Sequence, residues 1–347
     1  MNVTAKPLLF ALGILALTTS CSTPTNTNNT NTTSVATAGS AQTIKLDGSS
    51  TVFPITDAIA KEYNKTKQNK TDLQVAFSGT SGGFKKFCAG ETDISNASRP
   101  INAAEMQACN QNGVRFVELP IGFDALTVAV NPQNTWAQDI TRAELKKLWE
   151  PAAEKQITKW NQIRPSWPDR PINLYGAGKD SGTFDYFTEA TVGQPKASRN
   201  DYTASEDDNV LVQGVAKDPN ALGYFGFGYF EDNQDKLKAL AVDNGKGAIL
   251  PSRETVEKAQ YQPLARPLFI YVNVRANQMK PELREFVKFY LNNAKRMVES
   301  ANYIPLPEEG YHIAKIHFES GKVGTVFEGK SELNLTIGEL LRKEKKF

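Results

Sequence analysis

The chain has 347 residues, of which 40% are hydrophobic and 22% are charged. This composition is that of a globular protein, and the length is enough for two domains with their own cores. The formal net charge of only +2 excludes a strongly basic surface that would draw the protein to nucleic acid or acidic surfaces. Any binding of an anion must therefore rely on local donors.

The first twenty residues predict an export signal. One charge, Lys6, precedes an apolar run, Leu8–Leu17, which is too short to span a bilayer as a mature helix. Small residues then lead into Cys21, as at a bacterial lipoprotein cleavage site, although Thr18 stands where that pattern prefers leucine. We expect a signal peptide over residues 1–20 and a lipid on Cys21. Plain secretion with cleavage nearby is the alternative.

The segment 21–41 predicts a disordered tether. It consists mostly of Thr, Asn, Ser and Ala with almost no large apolar side chain, so it cannot bury enough surface to fold. A tether behind a lipid anchor would hold the folded part just off a membrane surface. We therefore expect a periplasmic protein attached to a membrane through lipid.

Two further cysteines, Cys88 and Cys109, complete the total of three. Export implies an oxidising compartment, and an even remaining count favours a pair. We predict a disulfide between these two cysteines that joins neighbouring helices, with two buried free thiols as the alternative. No CxxC pattern or Cys/His cluster indicates a metal, and no cofactor is expected.

A unit of strand, small-residue loop and helix occurs three times in the folded part. The predicted strands and helix starts are Thr43–Asp47 with Pro54, Leu73–Phe77 with Phe84, and Ile172–Tyr175 with Phe184. The loops contain Gly, Ser and Thr, which leave backbone N–H groups free at a helix start and let a ligand approach closely. The helix N-terminus adds partial positive charge. Each loop therefore predicts part of an anion site.

Other segments carry strand and helix signals. Capping boxes predict helix starts at Asn102 and Thr141. Apolar runs predict further strands or strand-and-turn segments at Val114–Val117, Leu126–Val130, Ala221–Phe230 and Leu268–Val274. Alternating strands and helices predict parallel sheets with helices on both faces, whose ligands bind at the carboxyl ends of strands.

Three motifs give the chain a resemblance to a known family. They are GSSTVFP at Gly48–Pro54, SGTSGG at Ser78–Gly83 with ASRP at Ala97–Pro100, and KDSGTFDYF at Lys179–Phe187. Their order, spacing and position after strands resemble the phosphate-binding protein of the high-affinity phosphate ABC transporter, in particular its lipoprotein-type relatives in cyanobacteria. The resemblance covers most of Thr43–Phe347.

The resemblance implies an α/β protein with the type II fold of periplasmic binding proteins. Two lobes, each with a mostly parallel sheet flanked by helices, are joined by a hinge of two crossover strands, near Asp124–Val130 and Arg266–Tyr271. Lobe I comprises residues 42–125 and 268–347, and lobe II comprises residues 126–267. The lobes would close over inorganic phosphate and dock on permease subunits. We expect a monomer that is not an enzyme and does not bind nucleic acid.

By motif, the resemblance assigns phosphate contacts to the three loops. They are Ser50, Thr51 and Val52 in the first loop, Thr80 and Ser81 in the second, and Ser181, Gly182 and Thr183 in the third. Where the enterobacterial pattern has an aspartate and an arginine, this chain has Ser98 and Ala177. We expect Arg99 to supply the bidentate arginine. The alternative is a surface arginine paired with Glu105.

The enterobacterial aspartate accepts the proton of hydrogen phosphate, so another carboxylate must do so here. At neutral pH sulfate carries no proton, and this acceptor therefore decides between the two ions. Asp124 is the first candidate, because it lies at the cleft end of a segment that enters the hinge. Asp180 and Asp208 are reserves. Asp124 could instead cap or brace the hinge.

Other functions stay open at this point. A site for sulfate or molybdate would use the same loops, and a sensor would bind phosphate without delivering it. The segment Gly79–Gly83 also matches G-x-S-x-G, the nucleophile elbow of a serine esterase, with Ser81 as nucleophile and His312 or His317 as base. Two further loops of the same type would have no role in such an enzyme.

Overall fold

The computed structural model of this protein describes residues 42–66 and 71–347. The predicted signal peptide, the lipidation site Cys21 and the tether lie outside the described residues. Within the described residues, no helix has the length and apolar character that crossing a membrane requires.

The described chain contains fourteen strands and twelve α-helices. The strands are β1 (Thr43–Gly48), β2 (Asp72–Val75), β3 (Ile94–Ala97), β4 (Phe116–Ala125), β5 (Thr127–Val130), β6 (Asp139–Thr141), β7 (Asn173–Ala177), β8 (Thr203–Ser205), β9 (Ala221–Phe225), β10 (Lys238–Ala239), β11 (Ala241–Asp243), β12 (Ala248–Ile249), β13 (Ala265–Asn273) and β14 (Ile304–Pro305). The helices are α1 (Phe53–Thr66), α2 (Thr80–Cys88), α3 (Ala103–Gln111), α4 (Arg142–Trp149), α5 (Gly182–Val192), α6 (Asp208–Lys217), α7 (Phe227–Glu231), α8 (Arg253–Glu257), α9 (Val274–Met279), α10 (Pro281–Ser300), α11 (Glu308–Ser320) and α12 (Ile337–Lys346). Short 3-10 helices occur at Pro151–Ala153 and Trp160–Gln162.

Two main sheets organise these strands. The first sheet has the order β14-β4-β13-β3-β1-β2, and the second has the order β10-β5-β9-β7-β8. The strands that precede the three predicted loops pair in parallel: β1 with β2 and β3, and β7 with β8 and β9. The α/β class is confirmed, and both sheets are mixed because β4, β5, β10, β13 and β14 pair antiparallel.

The chain passes from the first main sheet to the second after Ala125 and returns at Ala265. These two residues are directly opposite each other in the β4–β13 ladder. Both strands are buried along their whole length. The two passages therefore lie side by side, at the positions where the sequence predicts crossover strands.

Strand β4 differs from its prediction because it runs through Pro120 without a break. Its register with β13 skips one residue there: Leu268 is opposite Gly122, and Phe269 is opposite Pro120. The residue left without a partner in this ladder is Ile121. Pro120 therefore lies beside a bulge, where a residue that cannot donate a hydrogen bond is tolerated. The predicted turn after β9 is also different, since the short helix α7 forms there.

Local signals predicted the helix caps and the disulfide correctly. Asn102 and Thr141 form capping boxes at the starts of α3 and α4. Cys88 at the end of α2 is bonded to Cys109 in α3, which confirms the predicted disulfide between neighbouring helices.

Helices α2 and α5 begin earlier than the sequence predicts, at Thr80 and Gly182. The first backbone N–H groups of a helix have no partner within it, so residues of low helix propensity are tolerated in the first turn. The predicted site residues of these two loops are therefore first-turn residues or caps.

Candidate functional site

The three predicted loops meet, although they belong to two different sheets. We call them loop one (Ser49–Val52), loop two (Ser78–Ser81) and loop three (Asp180–Thr183). The hydroxyl oxygens of Thr51 and Thr183 lie 3.3 Å apart. The backbone N–H of Ser81 donates to the carbonyl oxygen of Asp180 at 2.8 Å. Contacts between the two sheets thus join loop one to loop three and loop two to loop three.

All predicted contact residues in the three loops are buried. They are Ser50, Thr51, Val52, Thr80, Ser81, Ser181, Gly182 and Thr183. Several hydroxyls already have local partners: Thr80 Oγ1 lies 3.2 Å from Ser98 Oγ, and Ser181 Oγ accepts from the N–H of Thr183 at 3.1 Å. Ser98, which stands where the related pattern has aspartate, thus adjoins loop two as expected from its motif.

Glycine is required where the loops approach each other. A Cβ atom at Gly182 would lie 2.4 Å from Thr80 Oγ1 and 2.7 Å from Ser98 Oγ. Gly79 has a φ of 77°, in the left-handed region that favours glycine, and a Cβ atom there would lie 2.3 Å from the carbonyl oxygen of Asp180. Side chains at either position would keep the loops apart.

An arginine that the sequence analysis did not select lies between loops one and three. Arg266 in β13 is fully buried, and its Nη2 donates to Thr183 Oγ1 at 2.9 Å and to Thr51 Oγ1 at 3.2 Å. Its Nη1 is buried and has no hydrogen-bond partner among the described residues. One signal for this residue was available, because a charge inside the apolar run around Leu268 must be paired when that strand is buried.

Asp124 is the counter-ion of Arg266. Its Oδ2 accepts from Arg266 Nη2 at 2.8 Å and from Nε at 3.1 Å, and its Oδ1 accepts from the N–H of Phe227 at 2.9 Å. Both side chains of the ion pair are fully buried. The first-choice acceptor carboxylate therefore lies beside loops one and three, and it also braces the two crossover strands, as the alternative interpretation expected.

Arg99, the arginine expected to bind phosphate, is bonded to protein groups through all its donors and is buried, whereas the alternative placed it at the surface. Its fork binds Glu105 through Nη2 at 2.7 Å and Nη1 at 2.9 Å, and its Nε donates to Asp185 at 2.8 Å. The remaining donors bind Pro100 O and Ser81 Oγ. Arg99 is buried and its two carboxylate partners raise its pKa against the opposing effect of desolvation. In this structure the bidentate contact is made with Glu105.

The two reserve carboxylates have different surroundings. Asp180 forms an ion pair with Lys85 at 2.6 Å. The side chain of Asp180 is 45% exposed and that of Lys85 is 69% exposed, so this ion pair lies at the protein surface. Asp208 is buried, and desolvation raises its pKa to about 7 against the opposing effects of its hydrogen bond with Ser50 and of Arg266. Its Oδ2 has no hydrogen-bond partner among the described residues.

Ser81 lacks the partner that a serine esterase requires. Its hydroxyl accepts from Arg99 at 2.9 Å and lies 3.4 Å from Asp185 Oδ2. The predicted bases, His312 and His317, lie on α11, and His317 Nδ1 is 3.3 Å from Glu344 Oε2. Within the described chain no histidine is bonded to Ser81, so the geometry does not support a nucleophile elbow.

Comparisons with known proteins identify the family of this chain. Residues 32–294 match the PBP superfamily domain. Protein SphX of Synechocystis sp. is 60% identical over 308 residues, which are 89% of this chain and 91% of that protein. The phosphate-binding protein PstS of Staphylococcus saprophyticus is 35% identical over 271 residues, which are 77% of this chain and 82% of that protein.

A solved structure is similar over most of the chain. The crystal structure of a possible phosphate binding protein from Planctomyces limnophilus is 45% identical. The match covers 81% of this chain and 99% of that one, with a TM-score of 0.61.

Proposed function

This chain belongs to the PBP superfamily and, within it, to the family of SphX and the PstS phosphate-binding proteins, and we propose that it binds inorganic phosphate between its two main sheets. It would capture the ion, close over it and deliver it to the permease of an ABC importer. Members of this family are binding proteins of transport systems, and no covalent chemistry is part of the proposal.

One observation carries the proposal: buried hydroxyls at two helix starts, one from each sheet, converge on a buried arginine. Thr51 and Thr183 approach each other from the two sheets and share Arg266 as a donor. A tetrahedral oxyanion in a dry site needs many donors, of which charge-assisted ones are the strongest. Helix N-termini supply further donors without adding charged side chains.

The proposed motion separates and rejoins the two sheets as lobes. Lobe I would comprise residues 42–125 and 268–347, and lobe II residues 126–267. The two passages at Ala125 and Ala265 support this division, although β13 begins three residues before the proposed boundary at 268. Because the passages are adjacent in the β4–β13 ladder, they could act together as one hinge.

We propose that the phosphate contacts are the predicted loop residues together with an acceptor carboxylate. Asp124 is the first choice, because Oδ1 accepts only one hydrogen bond and keeps one lone pair. Asp208 is the second, since its Oδ2 is unpartnered. Calorimetry on Asp124→Asn and Asp208→Asn separates them, because loss of the true acceptor narrows the gap between phosphate and sulfate affinity. If neither variant narrows this gap, both assignments are overturned.

Calorimetry of the purified protein with phosphate, sulfate, molybdate and arsenate at two pH values tests the function. We expect phosphate binding and no heat from sulfate. Binding of sulfate or molybdate in preference to phosphate would identify another oxyanion transporter with the same loops. If none of the four ions binds, the proposal is overturned.

The proposal includes a lipid on Cys21, which lies outside the described residues. Expression of the full chain and of Cys21→Ser in a bacterium with a periplasm tests the anchor. We expect the wild type in the membrane fraction and the variant in the soluble periplasmic fraction. An equal distribution of both proteins would contradict the anchor and leave phosphate binding unaffected.

A further inference from the structure

We propose that Arg266 is the arginine that contacts the bound oxyanion, through its Nη1 group. The inference rests on the proposed function and deepens it, because Arg266 is absent from the motif-based set of contacts. It assigns to Asp124 a positioning role, that of fixing Arg266 between loops one and three.

Among the described residues, not every N–H donor of Arg266 has an acceptor. A guanidinium has five N–H donors: one on Nε and two on each Nη. Nε and Nη2 of Arg266 bind Asp124, Thr183 and Thr51. Nη1 has no partner in the part of the chain that the structure describes, and it is buried. A buried donor without an acceptor is costly, so a donor of this kind in a binding cleft indicates a ligand.

The Nη1 donor of Arg266 lies close to loops one and three. Nη1 and Nη2 are bonded to the same carbon atom, and Nη2 contacts a hydroxyl from loop one and a hydroxyl from loop three. The face of Tyr186 lies 5.9 Å from the centre of the guanidinium, so an aromatic ring packs near the group. The free donor therefore lies within the cluster formed by the two loops, rather than at the outer surface.

Arg99 differs from Arg266 in the use of its donors. Its five donors have five acceptors: two oxygens of Glu105, one of Asp185, Pro100 O and Ser81 Oγ. An anion could bind Arg99 only by displacing one of these partners. Arg266 can bind an anion without losing Asp124, Thr51 or Thr183.

The charges around Arg266 also fit an anion. Asp124 and Arg266 form a neutral pair. Burial raises the pKa of a third buried group, Asp208, to about 7, so its negative charge is only partly present at neutral pH. Three tyrosines close enough to interact with these charges are uncharged, because burial raises their pKa values. They are Tyr186, Tyr229 and Tyr303. A bound oxyanion would therefore meet little opposing negative charge.

Arg266→Lys is the test variant, because it keeps the positive charge beside Asp124 and removes the guanidinium fork. Calorimetry with phosphate is compared for wild type, Arg266→Lys, Arg266→Gln and a control, Arg199→Gln. Arg199 is equally a buried, ion-paired arginine, but its partners are Asp201 and the carbonyl oxygens of Leu148 and Ile157. Thermal unfolding of every variant reports whether it is folded.

We expect phosphate affinity to fall on the order of 10- to 100-fold in folded Arg266→Lys, further in Arg266→Gln, and to be unchanged in Arg199→Gln. A wild-type affinity in folded Arg266→Lys overturns the inference while the proposed function stands.

If Arg266→Lys is unfolded, ¹⁵N NMR of arginine side chains in the wild type replaces this comparison. Phosphate should then shift the Arg266 signals, and unshifted signals overturn the inference. If the wild type binds another of the four oxyanions instead, the same variants are titrated with that ion. Absence of any oxyanion binding overturns both proposals.

Discussion

Arg99 and Arg266 are both buried, both ion-paired and both close to a predicted binding loop, yet their surroundings differ. Arg99 has two carboxylate partners, Glu105 and Asp185, and uses all its donors within the protein. Arg266 has Asp124 as its ion-pair partner among the described residues and retains a free Nη1. Burial and proximity thus do not distinguish a structural arginine from a binding one, whereas an account of the donors does.

The largest expected effect is the loss of stability on removing the counter-ion of Arg266. Asp124→Asn leaves the Arg266 charge buried without a counter-ion, and breaking a buried pair costs about 3–5 kcal/mol of the free energy of unfolding. Urea denaturation at neutral pH measures this loss. A loss below about 1 kcal/mol would contradict the view that Arg266 depends on this one carboxylate.

Gly182→Ala tests a residue between the two arginine sites. The new methyl group would collide with Thr80 Oγ1 and Ser98 Oγ, which adjoin Arg99, and would displace Thr183, which contacts Arg266. We expect phosphate affinity to fall roughly 100-fold or more, because a displacement of about 1 Å in a pre-organised site costs that much. Calorimetry with phosphate measures this loss.

Gly338→Ala is the matched control for this variant, since it also lies in the first turn of a helix. A Cβ atom there meets only the end of Arg342 at 3.6 Å. This control should bind phosphate as the wild type does. Equal affinity in Gly182→Ala and Gly338→Ala would show that close approach of the loops is not needed.

Asp208→Asn tests the protonation state of the buried carboxyl group near Arg266. Burial raises the pKa of Asp208 from 3.8 to about 7, so the folded protein favours the protonated form. The stability that this proton provides is present below pH 4 and is lost as pH rises towards 7. Asparagine resembles the protonated acid, so the stability advantage of the variant over wild type should grow by roughly 4 kcal/mol between pH 4 and pH 8. Urea denaturation at both pH values measures the gain, and an equal difference at the two values would contradict this pKa.

The smallest effect is expected for Asp185→Asn. Burial raises the pKa of Asp185, although Arg99 and Lys196 oppose this rise, and Arg99 keeps Glu105 after the substitution. We expect a loss of about 1 kcal/mol in the free energy of unfolding, measured beside Asp124→Asn under the same conditions. A loss as large as that of Asp124→Asn would remove the contrast between the two arginines.

The sequence allowed prediction of features that depend on local patterns. The three strand–loop–helix units, the caps at Asn102 and Thr141 and the Cys88–Cys109 disulfide are all present. These features follow from residues that are close in the chain, or from a pair that had no other partner. The family resemblance predicted the passages between the sheets within a few residues.

The sequence analysis missed features that depend on distant partners. Arg266 gains its role from Asp124, which is 142 residues away, and no local pattern links the two. Arg99 has Glu105 six residues away, but its second partner, Asp185, is 86 residues distant. The predicted strand Val114–Val117 is too short, because β4 continues through Pro120 at a bulge that forms only opposite the distant strand β13.

A crystal structure of the phosphate complex tests the central claim most directly. We expect one phosphate ion among loops one, two and three, with an oxygen within hydrogen-bond distance of Arg266 Nη1, at roughly 2.7–3.0 Å. Arg99 should remain bound to Glu105 and Asp185. A phosphate bound by the fork of Arg99, with no contact to Arg266, would contradict the account.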